Sequence, residues 1–326
     1  MNIKIKLLKS LESDEEEYIS GAALAAKLSV SRNAIWKAVE GLRADGYEIE
    51  AITNKGYRLI SRGDVLTVPG LMSCVKKDVF TFELRKTVTS TNTVLRELAA
   101  TKTEKYPEGY VLVAEQQTAG KGRLGRTFHS PANHGVYFSL LLHPGEKSVN
   151  APLITAAAAV AAAKAIEDII GVKVGIKWVN DLFYGDKKVC GILTEASFAV
   201  ESGMIESAVL GIGINITSPK EGFPEEISQV ATALQSTDCA VDNQRSRLIG
   251  RTLDYFWDYY ENLAGREFLN EYRQKSIVLG RDINVISFDN STPAKALEID
   301  DDCGLIVRLE NGEIKRLNSG EVSIRL

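Results

Sequence analysis

An α+β multidomain fold is predicted by three observations. Residues 1–63 carry helix, turn, helix and hairpin patterns in succession. Residues 70–275 alternate strand and helix patterns, and 276–326 hold only short strands between turn residues. A chain of 326 residues accommodates two or three such units.

In the first unit, Lys4–Leu11 has a short helical pattern, and Ser20 suits the N-cap of a helix over Gly21–Leu28. Ser29-Val30-Ser31 makes a tight turn, and Ser31 caps the next helix. There Ile35, Val39 and Leu42 recur at i, i+4, i+7 and form the buried stripe. Tyr47, Ile49 and Ala51 then alternate as in a strand, Asn54-Lys55-Gly56 turns, and Tyr57-Arg58-Leu59 returns. This order is that of a winged helix-turn-helix. Ser31, Arg32, Asn33, Trp36 and Lys37 on the second helix, with Lys55 and Arg58 on the wing, are its candidate DNA contacts. Arg43 is expected to add charge to the same helix face. Ten Lys and Arg against nine Asp and Glu leave the unit near neutral, so binding would rest on local charge. A winged helix serving protein contacts is the bland alternative. One such module binds DNA weakly, which predicts a homodimer on a two-fold site.

Residues 64–69 read as a linker, from Ser61-Arg62-Gly63-Asp64 towards Pro69-Gly70. In the central unit, strands are expected at Val79–Val88, Tyr110–Glu115, Gly135–Leu142, Val174–Trp178, Leu182–Tyr184, Lys188–Phe198 and Ser207–Ile216. The last two form a hairpin around Glu201-Ser202-Gly203. Helices are expected at Asn92–Ala100, Ala151–Ile170 and Arg245–Leu263. The second is rich in alanine and suits close approach to a sheet. The third buries Leu248, Leu253, Phe256, Trp257 and Tyr260. Together they predict a mixed domain around one large sheet. In the third unit Ile283, Val285, Ala294, Ala296, Leu305, Val307 and Ile314 mark five short strands, with turns at Asp289-Asn290, Asp302-Cys303-Gly304 and Asn311-Gly312. A small β-barrel with a structural role is expected.

Bulk properties exclude several classes. No apolar run reaches the ~18 residues of a membrane span, so no membrane partner is expected. The amino-terminal segment, which runs into acidic Asp14–Glu17, has no signal-peptide pattern. Cys74, Cys190, Cys239 and Cys303 lack paired spacing and read as free thiols of a reducing, cytoplasmic compartment. His129, His134 and His143 lack metal-ligand spacing. A net charge of −4 carries no global nucleic-acid signature.

Chemistry concentrates around Gly120 to Arg126, G-K-G-R-L-G-R. Glycines bring backbone N–H groups close to a ligand, and Lys121, Arg123 and Arg126 suit a phosphate. The dinucleotide reading fails because Pro131 and Gly135 prevent a following helix. A Walker loop would need Ser or Thr after Gly-Lys, and the kinase motifs H-R-D and D-F-G do not occur. Thr89-Ser90-Thr91-Asn92 can cap a helix or bind a polar head. Lys177-Trp178-Val179-Asn180-Asp181 joins a cation, an aromatic and a carboxylate that can hold Mg²⁺. Lys188 opens a buried strand and can reach an α-phosphate. Gly211-Ile212-Gly213-Ile214-Asn215 suggests close backbone packing.

In order, Q-Q-T-A-G-K-G-R-L-G-R, K-W-V-N-D-L and K-V-C-G-I-L-T-E resemble the biotin protein ligases. With a winged helix before and a small β domain after, nearly the whole chain resembles the bifunctional ligase and biotin-operon repressor type. The resemblance implies an SH3-like terminal barrel and a two-step reaction. Biotin and Mg-ATP would give biotinyl-5′-AMP, and a lysine of the biotin carboxyl carrier protein of acetyl-CoA carboxylase would take the biotin. It implies catalytic roles for Arg123 and Lys188, and biotin contacts from Ser90, Thr91, Asn92, Gln117, Lys121, Gly122, Arg123 and Lys188. It further implies adenylate contacts from Gly120, Gly125, Arg126, Phe128, Lys177, Asn180, Asp181 and Asn215, with Asp181 as the magnesium ligand and no tightly bound metal. Biotinyl-5′-AMP would act as corepressor on operator DNA, and the glycine loop would close over it. Lys121 for arginine, Val179 for proline and Phe128 for tryptophan depart from the family pattern. A lipoate–protein ligase-like enzyme and a sensing repressor without ligase activity are the alternatives.

Overall fold

The computed structural model describes residues 3–12, 18–61, 64–101, 104–144, 150–198, 205–235, 243–287, 290–318 and 320–324. The acidic run at 14–17, the hairpin tip at 201–203, Cys239 and Asp289 lie outside them.

In the first unit α1 (Ile3–Glu12), α2 (Gly21–Leu28) and α3 (Arg32–Ala44) precede a hairpin of β1 (Glu48–Ile52) and β2 (Gly56–Ser61). Ser20 and Ser31 cap α2 and α3, each accepting from a backbone N–H at 3.1 Å. Leu7, Leu8, Leu11, Leu24, Ile35, Val39 and Leu42 close a core with Tyr47 and Ile49. Ala51, which alternates with Tyr47 and Ile49, is exposed, unlike those two.

The expected linker is an anchor. Asp64 pairs with Arg245, and Pro69 and Gly70 lie in a short helix, α4 (Val68–Ser73), capped by Thr67. The buried Tyr47 hydroxyl bonds Thr67 at 2.6 Å, tying the hairpin root to that helix.

Next come β3 (Thr81–Val88), α5 (Thr91–Ala100), β4 (Tyr110–Gln117), β5 (Gly135–Leu142), α6 (Ala151–Ile170), β6 (Gly175–Lys177), β7 (Asp181–Tyr184), β8 (Lys187–Phe198) and β9 (Ile205–Asn215). Helices α7 (Glu225–Ser228), α8 (Gln244–Glu261) and α9 (Leu269–Gln274) follow. The seven strands form one sheet in the order β3-β4-β5-β9-β8-β7-β6. Only β3 and β4 are parallel within it, joined by the α5 crossover.

Strand alternation divides the sheet into two faces. Val111, Val113, Phe138, Leu140, Leu210, Ile212 and Ile214 pack with α6 and α8. The alanines of α6 are nearly all buried, so its backbone lies close to the sheet. On the opposite face, Leu112, Leu141 and Val209 meet Leu95 of α5. The part of that face not filled by α5 holds the site.

Strands β10 (Asp282–Ser287), β11 (Asn290–Ile299), β12 (Leu305–Leu309), β13 (Ile314–Leu317) and β14 (Glu321–Ile324) form an antiparallel sheet in the order β13-β12-β11-β10-β14. Among the described residues β13 and β14 do not pair, so the sheet is not closed into the expected barrel. Ile314, predicted inward, is 61% exposed, and Leu317 is buried instead. No helix among the described residues is long and apolar enough to cross a membrane.

Candidate active site

The glycine loop is a small hairpin. Lys121 bridges Thr127, and Phe128 N donates to Gly120 O at 2.8 Å. Of its three glycines only Gly125 has positive φ, at 74°. The other left-handed residue is Leu124, φ 54°, whose side chain is 77% exposed. Gly120 serves close approach, since a Cβ there would meet Phe128 O at 2.4 Å.

Behind the loop lie two adjoining clefts. The smaller, about 290 Å³, is lined by Ser90, Thr91, Asn92, Gln117, Lys121 and Phe128. Its floor is Gly191, Leu193, Gly211 and Gly213 of β8 and β9. The register pairs Gly191 with Gly213 and Leu193 with Gly211, so all four share one face. The larger cleft, about 690 Å³, is lined by Lys121, Gly122, Arg123, Arg126, Phe128, Lys177, Asn180, Asp181 and Lys188. Trp178, Leu124, Gly320 and Val322 also line it, and sequence reasoning assigned none of these. The carboxy-terminal sheet therefore walls the site as well as supporting the fold. It is held there by Trp178 Nε1, which donates to Cys303 O at 2.8 Å.

Phe128 belongs to both clefts. Its ring lies against Gly191 and Gly213, where a Cβ would approach it to 3.1 and 2.6 Å. Lys188 Nζ stands 6.0 Å from the ring centroid and pairs with Asp181 at 2.7 Å. Asp181 is thus the counter-ion of Lys188, held through one of its two carboxylate oxygens. Among the described residues no three His, Cys, Asp or Glu side chains converge as metal ligands.

Several predicted ligand contacts have structural partners. Gln117 Oε1 accepts from Thr91 N at 2.8 Å, and its Nε2 donates to Ser130 at 2.8 Å. Asn92 donates to Leu193 O and Glu195 and accepts from Ser139. That network docks α5 onto the sheet and presents the helix N-terminus to the smaller cleft. Ser90, the N-cap residue, is 2% exposed and makes no side-chain capping bond. Asn180 donates to Ile192 O at 2.8 Å and accepts from Arg123 at 3.3 Å, so it aims the loop arginine into the larger cleft. Lys177 lies 5.2 Å from the Phe183 ring.

Three predicted residues line neither cleft. Gly120 is buried under Phe128, Gly125 ends the turn Arg123–Gly125 of the loop, and Asn215 donates to Thr232 O at 3.1 Å. Asn215 instead ties the segment 231–235 to the end of β9. The histidines also have ordinary partners: His134 Nδ1 meets Thr217 at 3.1 Å, and His129 packs on Phe223. Burial, with His134 nearby, holds the His129 pKa below its ordinary value. Burial raises the thiol pKa of Cys190, under the site.

Gly213→Ala is expected to push Phe128 from its seat and cost about 1–3 kcal/mol, as overpacking does. A lower denaturation midpoint at unchanged m would show it. An unchanged midpoint would mean the ring moves freely.

On α3, Ser31, Arg32, Asn33, Trp36 and Lys37 are exposed, Trp36 by 52%. Arg43 is exposed as well, and it donates to Ile49 O at 2.9 Å and pairs with Glu40 at 2.8 Å. On the wing Lys55 is exposed, while Arg58 pairs with Glu50.

Family models match three stretches: an HTH domain at 4–58, the biotin/lipoate A/B protein ligase family at 84–215, and the biotin protein ligase C-terminal domain at 278–325. The chain is 33% identical over 324 residues to the bifunctional ligase/repressor BirA of Bacillus subtilis, covering 98% of this chain and 97% of the relative. It is 26% identical to the Escherichia coli protein of the same description, over 99% and 97%. Among solved structures, the Aquifex aeolicus biotin protein ligase in complex with biotin and ATP superposes with a TM-score of 0.60 at 29% identity. That match covers 75% of this chain and 98% of the other.

Proposed function

The chain belongs to the biotin protein ligase family, in its bifunctional ligase/repressor form, and from that premise we propose how its residues divide the work. Biotin occupies the smaller cleft, above the glycine floor. ATP occupies the larger cleft, among Lys121, Arg123, Arg126, Lys177 and Lys188. The observation that carries this reading is the shared wall: Lys121, Phe128, Gly191 and Leu193 line both clefts, so two substrates meet there.

The biotin carboxylate attacks the α-phosphorus, the bond to the β,γ-phosphates breaks, and pyrophosphate leaves. Lys188 and Arg123 face the charge that develops on the phosphoryl oxygens. Asp181 holds the Lys188 ammonium in place beforehand. Magnesium carried by the nucleotide would neutralise charge on its phosphates, with Asp181 the carboxylate of the larger cleft that would hold it. In the second step the amine of a lysine on the biotin carboxyl carrier protein attacks the mixed anhydride. An amide forms, the amine loses a proton, and AMP leaves.

The winged helix supplies the repressor activity through Ser31, Arg32, Asn33, Trp36 and Lys37. When carrier protein is scarce, biotinyl-5′-AMP stays bound and favours a homodimer on operator DNA. This requires the adenylate to bind the dimer-competent state more tightly. These activities belong to the cytoplasm, where carrier and operator are found. Incubation with labelled biotin, ATP and a purified carrier domain should label the carrier lysine. Failure to label it, with lipoate accepted instead, would overturn the substrate assignment.

A further inference from the structure

The wing holds a cluster that the catalytic site and the recognition helix leave unused. Gly56, at φ 122°, turns the hairpin so tightly that a Cβ would meet Ile19 O at 2.1 Å. Ile19 makes a single antiparallel bridge to Tyr57, each N donating to the other's O at 2.9 Å. That bridge brings Tyr18 beside β1 and β2, where Glu50 and Arg58 are register partners. The Tyr18 hydroxyl donates to Glu50. Arg58 stacks over the Tyr18 ring, 4.7 Å from its centroid, and Lys55 Nζ lies 5.7 Å from it.

The pairing of Arg58 is incomplete. Its Nη2 reaches Glu50 at 3.2 Å, while its Nε is covered and has no hydrogen-bond partner. A guanidinium presents a fork that suits two oxygens at once. Two donors and a second cation therefore surround one exposed carboxylate. The Tyr18 hydrogen bond, then Arg58, hold the Glu50 carboxyl below its ordinary pKa. A phosphodiester has the same charge as that carboxylate and two non-bridging oxygens.

We propose that Tyr18 and Arg58 form a phosphodiester-binding site on the wing, which Glu50 fills in the free protein and DNA backbone takes over in the complex. The idea rests on the DNA-binding reading of the winged helix. Glu50 weakens non-specific binding because each engagement must first displace it, and Tyr18 is a phosphate contact outside the helix-turn-helix.

The test uses the full-length protein and a fluorescent random-sequence duplex, with affinity measured across a salt series. Glu50→Gln should tighten binding about eightfold near 0.1 M salt and steepen the log–log salt slope by about one, the effect of one more engaged phosphate. Glu48→Gln removes the same charge two residues away on the strand and should change little. Tyr18→Phe should weaken binding. Equal gains from Glu48→Gln and Glu50→Gln would reduce the effect to net charge and overturn the proposal. So would tighter binding by Tyr18→Phe, because Tyr18 would then serve only to hold Glu50. Loss of binding in Arg32→Ala, with Glu50→Gln unchanged, would leave the DNA reading standing and remove the wing site. If the wild type binds no duplex while still biotinylating the carrier, the DNA reading itself fails, and the wing site with it.

Discussion

Lys188→Ala lowers the rate of biotinyl-adenylate formation by about 10²–10³-fold in the expected result, the size of effect seen when one preorganised charge-stabilising donor is removed. Lys188 is the second residue of β8, and its backbone is clamped on both sides: its N donates to Val230 O and its O accepts from Thr232 N. Its side chain is positioned by Asp181 at 2.7 Å and by the Phe128 ring. The position of the ammonium is thus set before substrate arrives, which is where electrostatic catalysis gains most. Pyrophosphate release measures the first step. Transfer from preformed biotinyl-5′-AMP measures the second, and it should suffer less because no phosphoryl charge develops there. Lys188→Arg keeps the charge but not the reach and should fall between. A loss below threefold in the first step would remove Lys188 from the catalytic assignment.

The second large effect is expected at a residue far from the chemistry. Arg245, at the start of α8, is 3% exposed and joins three parts of the chain. Its N and Nε donate to the two carboxylate oxygens of Asp64 at 2.9 Å each, and Nη1 donates to Glu115 at 2.7 Å. A further Nη2 donor meets the Asp64 carbonyl. Arg245→Met strands two partly buried carboxylates, and losing one partner of a buried pair typically costs about 3–5 kcal/mol. The lower end is expected, because Asp64 and Glu115 keep 31% and 19% side-chain exposure. Urea unfolding of the variant, with Asp64→Asn and the double variant to complete a cycle, isolates the coupling. A loss under 1 kcal/mol would show that solvent already screens the cluster. Asp64 follows the wing directly and Glu115 lies two residues before Gln117, so the same variant should loosen the winged helix from the catalytic sheet.

What the sequence disclosed about the fold is mainly local. Ser20 and Ser31 announce their helices because a capping hydroxyl acts within three residues. The β8–β9 pair is legible because its apolar runs are long. Basic residues clustered in one loop suggest a phosphate site before any fold is known. Interactions between distant segments are not legible in this way. Arg245 reads as one polar position on an amphipathic helix, although its partners lie 181 and 130 residues away. Trp178 gives no sign that the Cys303 carbonyl accepts its hydrogen bond, so Gly320 and Val322 were not expected at the site. Nor does the sequence disclose that Leu124, a residue with a β-carbon, takes a left-handed conformation, which leaves an apolar side chain exposed at the tip beside the larger cleft. Asn92, which the family resemblance assigns to biotin, lines the smaller cleft and also fastens α5 to the sheet through three partners that no local pattern discloses.

The floor of Gly191, Gly211 and Gly213 bears on how this enzyme can change through inheritance. A Cβ at Gly211 would come within 2.0 Å of Asn92 Oδ1, and one at Gly213 within 2.6 Å of the Phe128 ring. Any amino-acid change at the first or second base of a glycine codon adds a β-carbon. Every single-nucleotide missense step at Gly211 and Gly213 therefore meets the same obstruction. Drift in substrate choice has to enter through the lining positions that already carry side chains, at Leu193, Ser90 or Phe128, where neighbouring codons offer side chains of graded size. Selection for a new acyl substrate should thus recover variants at those positions first, with glycine variants arising only after Asn92 or Phe128 has already been replaced by something smaller.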